Sequence, residues 1–177
     1  MIFSPLPGTP LITQGFGQNP DLYAPYGYAG HNGFDFGVPE GTPVFAPHDG
    51  VAAVKDDGPN GYGLYIVIEA PNRRSILAHL SQTTLVNGQT VYQGDPIAAS
   101  GSSGTGTGPH LHWTFKILKN GAVQNKSNGY DGAMDVSELT RLRLPQDLHA
   151  DALYAGDATP YLSAVFAADQ VLHRVVS

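Results

Sequence analysis

The chain of 177 residues contains no cysteine. Disulfides and thiolate metal sites are therefore excluded, while the redox compartment stays open. No stretch approaches 18 consecutive apolar residues, so no membrane span is expected. Basic residues are scarce, with nine Lys and Arg against fifteen Asp and Glu and a formal net charge of −6. Nucleic-acid binders usually carry clustered Lys and Arg, so no nucleic-acid partner is expected. Any anionic polymer would have to be recognised by shape and hydrogen bonds, because charge would not attract it. The first residues, Met1-Ile2-Phe3-Ser4-Pro5-Leu6-Pro7, have neither a basic segment nor a long apolar run and do not read as a signal peptide.

Glycine and proline are plentiful, together about a fifth of the chain, and only 14% of residues are charged. That mixture suits many short strands joined by tight turns. The length fits one domain with a small appendage. Strands are expected over residues 11–13, 50–54, 64–69 and 75–80, on either side of Asn87-Gly88, around Ile97, and from Leu111 onward. Arg73-Arg74 is read as the end of a hairpin turn. Regular spacing of short strands and turns predicts a mainly β domain of sandwich or barrel-like type. Residues 119–132 read as a loop. Thr159-Pro160 supplies a helix start, and the spacing of Leu162, Val165, Phe166 and Leu172 predicts an amphipathic helix over about 160–174.

The chemistry concentrates in histidine. Gly108-Pro109-His110-Leu111-His112-Trp113 follows a Gly/Ser/Thr-rich loop and opens an alternating run to Ile117. Successive strand side chains point to opposite faces. Leu111, Trp113, Phe115 and Ile117 then face the core, and His110 and His112 share the other face. Upstream, His31 and Asp35 stand four residues apart. On an extended strand they would lie about 13 Å apart, too far to share an ion at about 2 Å. The Asn32-Gly33 step can bend the chain and bring them together. His79 ends a strand, His48 reads as a solvated loop residue, and His149 and His173 read as surface residues. Histidines and an aspartate without cysteine suit zinc with one position left for water. Three ligands and two helpers would come from His31, Asp35, His79, His110 and His112.

Several stretches occur in order: Gly30-His31-Asn32-Gly33-Phe34-Asp35-Phe36, Gly41-Thr42-Pro43-Val44-Phe45-Ala46, Asp49-Gly50-Val51, Ala78-His79-Leu80-Ser81, Gly94, Gly101-Ser102-Ser103-Gly104 and Gly108-Pro109-His110-Leu111-His112. As a set over about residues 12–118 they resemble the lysostaphin-type (LytM-type) zinc endopeptidases, which cut peptidoglycan peptides. The resemblance implies an antiparallel β-sheet groove walled by loops, with the C-terminal helix as an addition. It implies one zinc ion held by His31, Asp35 and His112, with His79 and His110 as catalytic histidines. It also implies an oxyanion-stabilising tyrosine upstream of the first ligand. The spacing does not align cleanly, so Tyr23, Tyr26 and Tyr28 are all candidates.

The expected organisation is a peptidase domain over residues 1–144 and an extension over 145–177 whose helix packs on the same domain. The expected partner is a peptidoglycan peptide, met outside the cytoplasm. The expected assembly is a monomer or part of a bacteriophage lysis or tail-associated structure. A non-catalytic wall-binding or enzyme-activating relative would lack some of the five site residues, and all five are present. A biotinyl/lipoyl-type carrier domain would need an exposed lysine in a central hairpin. Lys55, in Val54-Lys55-Asp56, matches that poorly and leaves the histidines without a role.

Overall fold

In this computed structural model, residues 2–137 are described, and eleven short strands occur among them. In chain order they are β1 (Leu11–Gln14), β2 (Phe34–Gly37), β3 (Pro43–Phe45), β4 (Gly50–Asp56), β5 (Leu64–Ala70), β6 (Arg73–Ala78), β7 (Leu80–Thr83), β8 (Thr90–Val91), β9 (Pro96–Ser100), β10 (Leu111–Lys119) and β11 (Ala122–Val123). A one-turn helix α1 (Pro20–Tyr23) and a 3₁₀ turn at Ala24–Tyr26 separate β1 from β2. The large sheet runs β1-β2-β10-β6-β5-β4-β8, with β11 paired to β10, and a small sheet runs β3-β9-β7. Every pairing is antiparallel. The mainly β architecture read from the sequence is the one observed.

The alternation within strands builds the core. Ile66 and Ile68 on β5, Leu77 on β6, and Leu111 and Trp113 on β10 are at most 1% exposed. Truncating an aromatic at such a position costs about 3–5 kcal/mol. The opposite face of β10 is buried as well, because His112, Thr114 and Lys116 are all closed from solvent. Lys116 is neutralised there, its Nζ donating to Asp131 Oδ2 at 2.7 Å. A strand enclosed on both faces holds its polar side chains in fixed places, which is what a site requires.

The structure corrects several sequence expectations. The strand expected over 75–80 stops at Ala78, and the chain passes to the small sheet through His79, whose φ is +61°. Arg73 and Arg74 lie within β6, paired with Ala70 and Glu69, so the hairpin turn is Pro71-Asn72. The loop over 119–132 contains a short hairpin, β10–β11, turning at Asn120 and Gly121 with φ of +54° and +75°. Asn-Gly in that conformation is a strong hairpin signal. Lys55 lies inside β4, paired with Tyr65, and no hairpin tip presents it. The helix expected over 160–174, the extension over 145–177, and His149 and His173 lie outside the described residues.

His48 is not a solvated loop residue, being 2% exposed. Its Nδ1–H donates to Asp49 O at 2.8 Å, and its Nε2 meets Ser75 Oγ at 3.0 Å. Trp113 Nε1–H donates to the same hydroxyl at 3.2 Å. A hydroxyl that accepts from indole can still donate to imidazole, so His48 fits here neutral. Burial, aided by the nearby Arg73 charge, pushes its pKa below the ordinary 6.5. The unfolded chain therefore binds this proton first as pH falls. The stability contribution is full above about pH 6.5 and is lost as pH drops toward the folded value. The stability gap between wild type and His48→Gln, read from urea midpoints, should therefore narrow from pH 8 to pH 5. The slope is bounded by about 1.4 kcal/mol per pH unit. A gap that does not change with pH would contradict this.

Candidate metal centre

β2 and β10 pair so that Asp35 stands directly opposite His112. Opposed residues on one face of an antiparallel pair lie close together. His31 precedes β2 and returns over it through the bend at Asn32 and Gly33. The local turn expected from the sequence is thus present. His31 Nε2 lies 3.2 Å from Asp35 Oδ1 and 3.0 Å from His112 Nδ1, while His112 Nδ1 lies 2.8 Å from Asp35 Oδ1. Among the described residues these three form a group able to hold a metal ion. Ligands at about 2.0–2.1 Å from a tetrahedral ion stand about 3.3–3.4 Å apart. The observed triangle is tighter by a few tenths of an ångström, so the nitrogen and oxygen donors fit such an ion with little movement.

The protonation pattern supports ligation. His31 Nδ1–H donates to Gly15 O at 3.2 Å, which leaves Nε2 bare. His112 Nε2 is 2.8 Å from Thr114 Oγ1. When Nδ1 serves as the ligand, Nε2 carries the proton and Thr114 accepts it. Metal-ligating histidines characteristically use their second nitrogen in this way. Burial pushes the His112 pKa down against the pull of Asp35, so the ring is neutral. Burial pushes the Asp35 carboxyl up, but the two imidazoles packed against it, His112 and His31, outweigh that push. Asp35 ends well below the ordinary carboxylate range and is ionised.

His79 and His110 join the same cluster. Their rings are 4.5 Å apart, and His79 is 6.0 Å from the His112 ring. His110 Nε2 lies 4.0 Å from Asp35 Oδ1. Each ring is anchored by a backbone carbonyl. His79 Nδ1–H donates to Ser103 O, and His110 Nδ1–H donates to Gly108 O, both at 2.8 Å. Both Nε2 atoms therefore remain available as proton acceptors. Burial, with repulsion from His110 and His112, holds the His79 pKa down at about 4 against its hydrogen bond to Ser103.

Of the three candidate tyrosines, the structure brings Tyr23 to the cluster, its ring 5.3 Å from His31. Burial and the Asp35 charge push its pKa up to about 12, so it stays protonated. Tyr26 is 70% exposed. Tyr28 is half-buried, and burial with the Asp131 charge raises its pKa. Other neighbours escape a sequence reading. The Tyr62 ring packs 5.3 Å from His112, and its hydroxyl accepts from Asn32 Nδ2 at 3.1 Å. Thr114 could have been found two residues past His112 on the same strand face. Nothing local marks Tyr62 or Gln14. An open hollow on β4 and β5, lined by Val51, Ala53, Glu69 and Gly121, contains none of these groups.

Gly33 lets the strands approach at the centre. A Cβ there would lie 2.5 Å from Trp113 O and 2.8 Å from His112 Cε1. Gly33→Ala should therefore displace His112 and weaken zinc binding by about 10–100-fold, the usual cost of disturbing a ligand's support. Gly108→Ala, whose Cβ meets nothing within 4 Å, should bind zinc like wild type. Zinc titration against a chromophoric chelator measures both. Equal affinity for Gly33→Ala and wild type would refute this geometry.

Comparison with known proteins places this arrangement. Peptidase family M23 matches residues 29–126, more than half of the chain. The peptidoglycan DD-endopeptidase ShyA of Vibrio cholerae is 43% identical over 90 residues, covering 50% of this chain and 21% of that protein. A zinc-containing peptidase from Vibrio cholerae superposes with a TM-score of 0.59 at 30% identity, covering 82% of this chain and 41% of that one. The catalytic domain of lysostaphin from Staphylococcus simulans gives 0.53 at 27%, covering 68% and 96%. The chain spans 20% to 35% of the length of the first curated relatives it matches. With a matching sequence profile and a matching fold, the chain belongs to peptidase family M23.

Proposed function

We propose that this chain is a zinc-dependent endopeptidase that hydrolyses peptide bonds in bacterial peptidoglycan. The observation that carries the reading is the triangle of His31 Nε2, Asp35 Oδ1 and His112 Nδ1, with edges of 2.8–3.2 Å, beside two further imidazoles with free nitrogens. Zinc held by these three atoms would supply Lewis-acid polarisation of a carbonyl and a more acidic water. The chain's own residues do the rest. His79 and His110 accept a proton from the attacking water and return it to the leaving amine, a role that ordinarily contributes about 10²–10⁴-fold. Tyr23 offers its O–H to the carbonyl oxygen as charge develops there. The backbone carbonyls of Gly15, Ser103 and Gly108 fix ring orientation, so little reorganisation is needed when substrate arrives.

The substrate class rests on the relatives. ShyA is named a peptidoglycan DD-endopeptidase, which makes D,D-linked cross-links the first substrates to test. The net charge of −6 is consistent with recognition by shape and hydrogen bonding at the anionic wall. All five site residues are present, which favours an enzyme over a non-catalytic wall-binding relative.

Zinc-loaded protein incubated with purified cell walls should release fragments with new amine termini, detected by mass spectrometry. A chelator should abolish release, and added zinc should restore it. His112→Ala should lose the metal. His110→Ala should keep one zinc per chain and lose about 10²–10⁴-fold in turnover. If the zinc-loaded wild type releases no peptide ends from any wall type, the reading fails.

A further inference from the structure

Gln14 is a half-buried side chain with an enclosed amide nitrogen for which the reaction above has no use. It ends β1 and stands opposite Asp35 in the β1–β2 pairing, just past an irregularity between Ile12 and Gln14. One strand pair therefore carries both a metal-site carboxylate and this amide. Tyr23 Oη lies 3.0 Å from Gln14 Oε1, with the phenol as donor. Gln14 Nε2 is closed from solvent and has no hydrogen-bond partner among the described residues.

That pairing leaves the wrong atom stranded. Oxygen and nitrogen of a side-chain amide are nearly the same size, so a half-turn exchanges them without moving the chain. Orphaned buried N–H groups are rarer than under-satisfied carbonyls. The turned amide places Nε2 beside Tyr23 Oη and leaves the carbonyl in the enclosed position. The direction of this hydrogen bond also decides what Tyr23 can do. A phenol has one proton. If it is given to Gln14, none remains for a substrate oxygen. If Gln14 donates instead, the Tyr23 O–H is free to point at the cluster, against which its ring already packs.

We propose that Gln14 is a positioning residue whose Nε2–H donates to Tyr23 Oη, directing the Tyr23 proton to the oxygen that gains charge during peptide hydrolysis. This rests on the peptidase reading above. Gln14 does not touch the substrate; it acts through Tyr23.

Two substitutions separate donor from acceptor. Gln14→Glu keeps the shape and the acceptor but has no N–H when ionised, and Gln14→Met has neither. On a soluble wall peptide, both should keep one zinc per chain and an unchanged KM, with kcat reduced about tenfold or more. Tyr23→Phe should lose about 10²–10³-fold, and adding Gln14→Met to it should cost nothing further. In the zinc-loaded wild type, nuclear Overhauser contacts should join the Gln14 amide protons to the Tyr23 ring. Wild-type kcat in Gln14→Glu, multiplied losses in the double variant, or missing amide-to-ring contacts would each overturn the proposal. Failure of the zinc-loaded wild type to cleave any wall would show before any variant is compared. That result removes the peptidase reading and the catalytic role of Gln14 with it.

Discussion

The register of β10 between β2 and β6 is the constraint on which everything else depends. Pairing with β2 sets His112 opposite Asp35, and pairing with β6 sets it opposite Ala78, the residue before His79. Two pairings of one strand thus collect groups separated by more than 75 residues of chain. A slip of one residue would turn His112 to the apolar face and present Leu111 or Trp113 to Asp35. The core forbids it. Leu111 and Trp113 are opposite Phe36 and Phe34, and Trp113 is opposite Leu77 on its other side. Packing at odd positions of the strand thereby fixes chemistry at even ones.

Alignment of strands places the rings but does not aim them. Aiming is done by hydrogen bonds, one to each imidazole: Gly15 O for His31, Ser103 O for His79, Gly108 O for His110 and Thr114 Oγ1 for His112. For three of the four the acceptor is a carbonyl, which can only accept. The proton is therefore held on Nδ1, and Nε2 is left bare in His31, His79 and His110. Asp35 is the one anion among them, and the neutrality of His79 and His112 limits repulsion in a crowded space. Such a site is organised by the fold before any ligand enters, which is the condition under which electrostatic catalysis is cheapest.

Much of this was legible in the sequence, for identifiable reasons. Alternation from Leu111 to Ile117 exposed both the strand and the division of its faces. The ordered motifs identified the family and singled out His31, Asp35 and His112, the three residues that the structure gathers into a group able to hold a metal ion. The missed contacts share one cause: contacts made across the chain leave no local pattern. His48 sits in a Pro-His-Asp-Gly string that reads as a solvated turn, yet Ser75 from β6 closes over it. Tyr62 and Gln14 likewise reach the site from a loop and a strand end with ordinary composition. The corner at His79 was hidden because apolar residues continue on both sides of it. The hairpin at Asn120 and Gly121 was marked by its turn residues and was lost in a polar stretch.

His79 shows how the fold supports an unfavourable local geometry for a placed side chain. A non-glycine residue at positive φ costs about 1–3 kcal/mol. Its amide donates to Tyr62 O at 3.0 Å and its ring to Ser103 O at 2.8 Å. Each such bond contributes about 0.5–1.5 kcal/mol net, so the two offset the strain. Ser103 is itself held, its Oγ accepting from Leu64 N at 3.0 Å and donating to Leu80 O at 2.8 Å. Beside it, the backbones of Gly63 and Gly104 approach too closely for either to carry a Cβ. A glycine at position 79 would remove the strain at no steric cost, but it would also remove the imidazole. Retaining a histidine there, braced by two loops, is the arrangement expected where the ring's position matters more than the chain's local comfort.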